Sequence, residues 1–291
     1  MIDLSPAVVA GGFAVAVAVV GMPHGGLDHL FGRAVFEPRS GRRWLATFGL
    51  FYLGIAALVL AGWFVSPALT VVLFFLISAV HFGDDLSVPQ PARSVCGGLV
   101  IWVPLLFRPT EVAGLLAWVI PSGDVVRVSD GIAAAEPLLW AVAAFFVGWL
   151  PFAPGVGVAV RNIVFALLLA VVPTLVGFAV YFCGWHSTRE LAELARRANP
   201  TNPWLGLRKV ALLAAPMAGL AVVATAVAAW WFANGRGLQP VVVQAVFLGL
   251  SAVAVPHILL HAVARRFGAD PFAAEARAGG SGQFGSERGA A

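Results

Sequence analysis

Residues 240–264 read PVVVQAVFLGLSAVAVPHILLHAVA, 25 positions without a lysine, arginine, aspartate or glutamate. A helix crosses the hydrocarbon of a bilayer in about 20 apolar residues, so this stretch alone is long enough to span. Its two polar landmarks, His257 and His261, stand toward its end. Apolar runs of the same kind lie at 6–22, 44–66, 67–82, 94–107, 134–150, 159–184 and 208–233, with a shorter one at 111–121. Backbone amides cannot stay unpaired in hydrocarbon, and the residue alternation of a membrane barrel is absent, so the runs predict helices. The expected fold is all-α: a polytopic transmembrane helix bundle of eight spans, or nine if 111–121 crosses.

Composition agrees. Hydrophobic residues make up 60% of the chain and charged residues 11%, too few charges to clothe a soluble domain of this length. The net charge of +4 is explained by topology rather than by nucleic acid, because cytoplasmic loops retain lysine and arginine. With nine crossings, fifteen of the 18 basic residues fall on one side, leaving only Arg108, Arg161 and Arg236 on the other. That asymmetry predicts a multi-pass protein of the cell inner (plasma) membrane, N-terminus outside and C-terminus cytoplasmic.

The first run follows Met1-Ile2-Asp3 without a basic segment and reads as a mature helix, not a secretory signal. Residues 1–267 form one transmembrane helical domain. The Gly, Ala, Ser, Glu and Arg composition of 268–291 predicts a disordered cytoplasmic tail. The charged stretch 186–207, with Glu190, Glu193, Arg196 and Arg197 before Pro200 and Pro203, predicts a helical extension and an interfacial loop. Trp44, Trp63, Trp185, Trp204, Trp230 and Trp231 sit near span ends, as interfacial anchors do. Cys96 and Cys183 show no metal-ligand spacing and read as packing residues.

All six histidines fall in four short motifs: Pro23-His24-Gly25-Gly26-Leu27-Asp28-His29, His81-Phe82-Gly83-Asp84-Asp85, Trp185-His186-Ser187 and Pro256-His257-Ile258-Leu259-Leu260-His261. The predicted topology puts His24, His81, His186 and His257 at one depth, toward the cytoplasmic ends of their helices. Ionisable groups within spans are costly and face the bundle interior for a purpose. Neutral imidazole suits iron, zinc, copper or nickel, and Asp28, Asp84 and Asp85 are near enough in sequence to orient the rings. Residues four apart share a helix face, which offers Glu190 beside His186 and His261 beside His257. His29 and His261 read as hydrogen-bonding or supporting groups. Gly25, Gly26 and Gly83 either clear space beside a ligand or simply end helices.

The motifs Pro-His-Gly-Gly-x-Asp-His, His-Phe-Gly-x-Asp, Trp-His-Ser-x-Arg and Pro-His-x-x-Leu occur in this order over roughly residues 17 to 265. In this the chain resembles the Brp/Blh family of membrane β-carotene dioxygenases. The resemblance implies an Fe(2+) enzyme that splits the central double bond of β-carotene with O₂ into two molecules of retinal, with a rhodopsin as possible recipient. It carries the family's iron histidines over to His24, His81 and His186; from their places beside these histidines, Asp28 and Asp85 are the expected supporting carboxylates. The family motif Trp-His-Ser-x-Arg is followed directly by another histidine, whereas this chain has Glu190 there. The fourth ligand is then either Glu190 or His257.

For such a substrate, Phe74, Phe75, Phe82, Phe178, Tyr181 and Phe182 are the expected walls. Two rivals are weighed against this reading. A di-iron membrane desaturase or hydroxylase wants about eight histidines in several clusters, and this chain has six. A membrane metal-ion transporter should carry polar ligands along a path to both faces, and the opposite halves of these helices hold no histidine.

Overall fold

The computed structural model describes residues 6–84, 88–233 and 235–272. Among them every regular element is helical: α1 (Pro6–Ala16), α2 (Met22–Gly25), α3 (Asp28–Ser40), α4 (Trp44–Val65), α5 (Pro67–Asp84), α6 (Ala92–Gly97), α7 (Leu99–Phe107), α8 (Pro109–Val119), α9 (Ser122–Ala134), α10 (Glu136–Trp149), α11 (Val156–Val171), α12 (Thr174–Ala179), α13 (Thr188–Ala198), α14 (Pro203–Phe232) and α15 (Leu238–Phe267). Two π-helical stretches, Val17–Gly21 and Val180–Ser187, link α1 to α2 and α12 to α13.

The outer surface has the character of a lipid-facing one. Leu50, Leu53, Phe64, Leu212 and Val65 are each at least 70% exposed, and side chains of that kind in water would make a large sticky patch. α15 is the axis of the bundle, packed against α1, α3, α4, α5, α8 and α14. Three tracts are apolar and long enough to cross a bilayer: Ala7–Val65, which turns back at Gly41, Pro203–Phe232 and Leu238–Phe267. Two bent pairs bring the candidates to five, and Pro67–Gly83 and Val156–Val171 are shorter apolar helices.

Prolines and one glycine, Gly98, mark where the apolar runs break. The run 159–184 is interrupted at Val172, whose backbone is extended before Pro173, as the clash with a following proline ring requires. The run 94–107 is divided between α6 and α7, and α7 turns through 113° into α8 at Pro109. Residues 111–121 are therefore helical to Val119, but as one arm of a sharply bent pair. The helix α9 has no counterpart among the expected spans. It meets α10 at 53°.

The predicted charged extension is present as α13, where Glu193 accepts from Arg196 at 2.7 Å and Arg197 at 3.1 Å. Those hydrogen bonds, Arg196 first, hold the Glu193 carboxyl below its ordinary range. Asn202 caps α14 by accepting from the backbone of Trp204 and Leu205, and Gly268 ends α15 in the left-handed conformation. Of the expected tail, residues 273–291 lie outside the described residues. Trp204, Trp230 and Trp231 are exposed at the two ends of α14. Trp63 is not an interfacial anchor: it is 5% exposed and donates from Nε1 to Ser251 Oγ at 2.7 Å, tying α4 to α15.

Gly26 and Gly83 are where backbones meet. A β-carbon at Gly26 would lie 2.6 Å from the Ala214 carbonyl oxygen, and one at Gly83 2.6 Å from that of Arg93. Small residues allow this approach in membrane bundles. Gly26→Ala is expected to lower stability by about 1–3 kcal/mol, whereas Gly114→Ala, with open space around it, should not. Thermal unfolding of the purified variants measures the difference.

Candidate metal centre

Three of the four histidines of interest stand at a proline or a π-helical stretch, and the fourth at a helix end. Pro23 lacks the N–H that would pair with the carbonyl four residues earlier, and the π-helical stretch Val17–Gly21 ends two residues before it. The next residue, His24, donates from Nδ1 to the Gly21 carbonyl. Pro256 plays the same part within α15, immediately before His257. His186 lies in the second π-helical stretch; such widened turns re-aim side chains and are frequent at functional sites. His81 comes from the last turn of α5.

The four rings form a closed circuit. Centroid distances are 5.3 Å for His24–His186, 5.1 Å for His186–His81, 5.5 Å for His81–His257 and 5.3 Å for His257–His24. Neighbouring rings stand at 75–88° to one another, so edges rather than faces meet. One donor atom each from His24, His81 and His257 lies within 4.8 Å of the others. His186 is outside that trio but is enclosed beside it by Phe82 and Phe182. A second convergent trio comprises Asp28, His257 and His261.

Hydrogen bonds fix which nitrogens face inward. Asp28 is 3% exposed, and its Oδ1 accepts from His257 Nδ1 at 2.8 Å. The Tyr52 hydroxyl donates to Asp28 Oδ2 at 2.8 Å and also lies 3.1 Å from the Val253 carbonyl. With the Nδ1 atoms of His24 and His257 engaged as donors, each ring keeps its Nε2 lone pair for a ligand. That is how carboxylates and carbonyls orient metal-binding imidazoles, and a set of neutral imidazoles is suited to a first-row transition metal.

Of the other expected residues, His261 lies 3.4 Å from Asp28 and packs on Phe31 and His257. His29 bonds the Gly26 carbonyl at 3.1 Å. Glu190, on α13, belongs to neither convergent trio. Asp85 lies outside the described residues. Tyr52 was missed by sequence reasoning. The chain has 2 tyrosines against 21 phenylalanines, so the single tyrosine of the run 44–66 was the available signal.

His24, His81 and His257 open onto a cavity of about 560 Å³, within the usual range for small-molecule sites. Phe74, Phe75, Phe82, Phe178 and Phe182 line it as expected. Tyr181 instead packs against Phe82 and Phe165. Lining residues run along α5 from Val71 to Phe82 and along α15 from Phe247 to Ile258, about 16 Å in each case at 1.5 Å per residue. The space is long and almost entirely apolar.

A membrane-type helical bundle with four imidazoles in mutual contact, set against a long apolar cavity, defines a class: integral membrane proteins whose histidine-rich centre, able to hold a metal ion, meets a hydrophobic ligand. More particularly, the chain belongs to the beta-carotene 15,15′-dioxygenase family, whose profile matches residues 15–264. That family consists of carotenoid-cleaving oxidoreductases. The chain is 27% identical over 274 residues to beta-carotene 15,15′-dioxygenase of uncultured marine bacterium 66A03, covering 84% of this chain and 90% of that protein. It is 28% identical over 295 residues to probable beta-carotene 15,15′-dioxygenase Blh of Halobacterium salinarum, covering 88% and 84%. The likeness therefore runs through the whole bundle. No solved structure matches the chain.

Proposed function

We propose that this protein is an iron(II)-dependent dioxygenase of the cell membrane that cleaves β-carotene at its central double bond. The observation that carries the reading is the ring of histidines at the wall of a long apolar cavity. His24, His81, His186 and His257 would hold the ion, with Glu190 the competing fourth ligand and Asp28 the group that orients His257. In that position iron supplies the binding and activation of O₂. The reaction balances without an outside reductant: the central C=C bond breaks, each of its carbons takes one atom of the same O₂, and two molecules of retinal form.

The chain's own residues do the rest. A carotenoid has no charged handle, so the apolar walls must select the bond by holding the polyene in register with the histidines. Phe82 and Phe182, which contact the histidine rings, exclude water where the reactive carbons would lie. In this reading the N-terminus lies outside and residues 268–291 lie inside, and retinal is released to the bilayer, where a rhodopsin is a fitting recipient.

Expression in cells that accumulate β-carotene, followed by pigment extraction, tests the activity. Retinal should appear as the orange colour fades. Well-expressed, iron-loaded protein that gives neither retinal nor any shorter apocarotenal overturns the reading.

A further inference from the structure

The cavity reaches the outside of the bundle. Leu45, Gly49 and Leu53 repeat at every fourth position along α4, and Met217, Leu220 and Ala224 follow one another along α14; all six line the cavity. Yet Leu45 is 61% exposed, Leu53 70% and Leu220 63%. Residues that line a cavity and are also largely exposed stand at its mouth. α4 and α14 both pack against α15, and α15 supplies Val253, Ala254, His257 and Ile258 to the same lining. The floor between the two helices thus leads to His257.

We propose that the gap between α4 and α14 is a lateral portal through which a linear apolar polyene passes from the hydrocarbon of the bilayer to the histidine ring, a proposal that rests on the carotenoid-cleaving reading. The six residues at the mouth carry no charged side chain and no hydrogen-bonding group stronger than the Met217 thioether. An opening so lined offers nothing to a polar solute or to an ion, and matches a hydrocarbon chain delivered from lipid. Gly49 leaves the α4 wall clear. A β-carbon there would meet nothing within 4 Å, so the position between the two leucines is kept open by the absence of a side chain.

The test introduces bulk at the mouth without touching the histidines. Gly49→Trp, from the α4 wall, and Leu220→Trp, from the α14 wall, are assayed in proteoliposomes containing β-carotene. Gly54→Trp is the control, since Gly54 also has open space but does not line the cavity. Both portal variants should lower kcat/KM for retinal formation by about tenfold or more, roughly a 1.4 kcal/mol barrier. A single turnover of carotenoid already bound should keep its rate, and iron content and melting temperature should match wild type. Trimming the opposite wall, as in Gly49→Trp with Leu220→Ala, should restore part of the loss. Wild-type kcat/KM in either folded, iron-loaded portal variant overturns the portal and leaves the dioxygenase reading standing. Wild-type protein without activity overturns both.

Discussion

Alanine in place of His257 is expected to leave the purified protein without its metal ion and to bring retinal formation below detection. The donor trio that converges is His24, His81 and His257, and His257 is also the ring held by the buried Asp28 carboxylate at 2.8 Å. In the proposed reading, removing it deletes an iron ligand and takes from that carboxylate one of its two donors at 2.8 Å. Alanine at His24 or His81 should be equally severe, since each supplies one edge of the ring circuit and no neighbouring side chain occupies the same place. Alanine at His186 should weaken iron binding by a further ligand's worth. Glu190→Ala should retain metal, because the carboxylate lies outside both convergent groups. Metal analysis of detergent-purified protein reads all five variants, with retinal yield as the second measure. Retention of iron by His257→Ala together with its loss from Glu190→Ala would reverse the assignment of the fourth ligand.

The parts of this arrangement differed in how visible they were beforehand. Runs 44–66, 208–233 and 240–264 became α4, α14 and α15 because nothing inside them forces a break; Pro216 and Pro256 lie within helices whose neighbours support them. The run 159–184 looked just as continuous, but Pro173 divides it, and only the packing of α11 on α7 and of α12 on α1 decides that the chain turns there rather than merely bending. α9 was invisible for the opposite reason. Its sequence, SGDVVRVSDGIAA, mixes polar residues and glycine too evenly to register as an apolar run.

The site was legible as residue types and illegible as contacts. The Pro-His, His-Phe-Gly and Trp-His-Ser motifs mark four imidazoles that meet in space. That the ligand atoms of His257 rather than His186 converge with those of His24 and His81 depends on how α15 is rotated, which periodicity does not specify. The Asp28–His257 hydrogen bond and the Tyr52–Val253 contact join residues 229 and 201 positions apart. Asp28 could be suspected from its place beside two histidines, but its partner could not, and Tyr52 had only its rarity to draw notice.

Substitution of Asp28 separates orientation of a ring from mere packing. Its carboxylate accepts from His257 and Tyr52 at once, so alanine should free both groups and lower metal affinity by about 10–100-fold, the usual cost of losing a partner behind a ligand. Asp28→Asn keeps the shape and one carbonyl acceptor for His257, and should recover much of that affinity while losing the charge. Tyr52→Phe removes a hydrogen bond to a charged group, worth about 1.5–3 kcal/mol of stability, yet leaves His257 its acceptor; its melting temperature should fall more than its metal affinity. Competition with a chelator of known strength measures affinity in all three, and thermal unfolding of the metal-free proteins measures stability separately. If Asp28 only filled space, the alanine and asparagine variants would bind metal equally well, differing in melting temperature alone. If it holds the imidazole with Nδ1 outward and Nε2 toward the ion, the order of affinity should be wild type, Tyr52→Phe, Asp28→Asn and Asp28→Ala, whatever the order of stability.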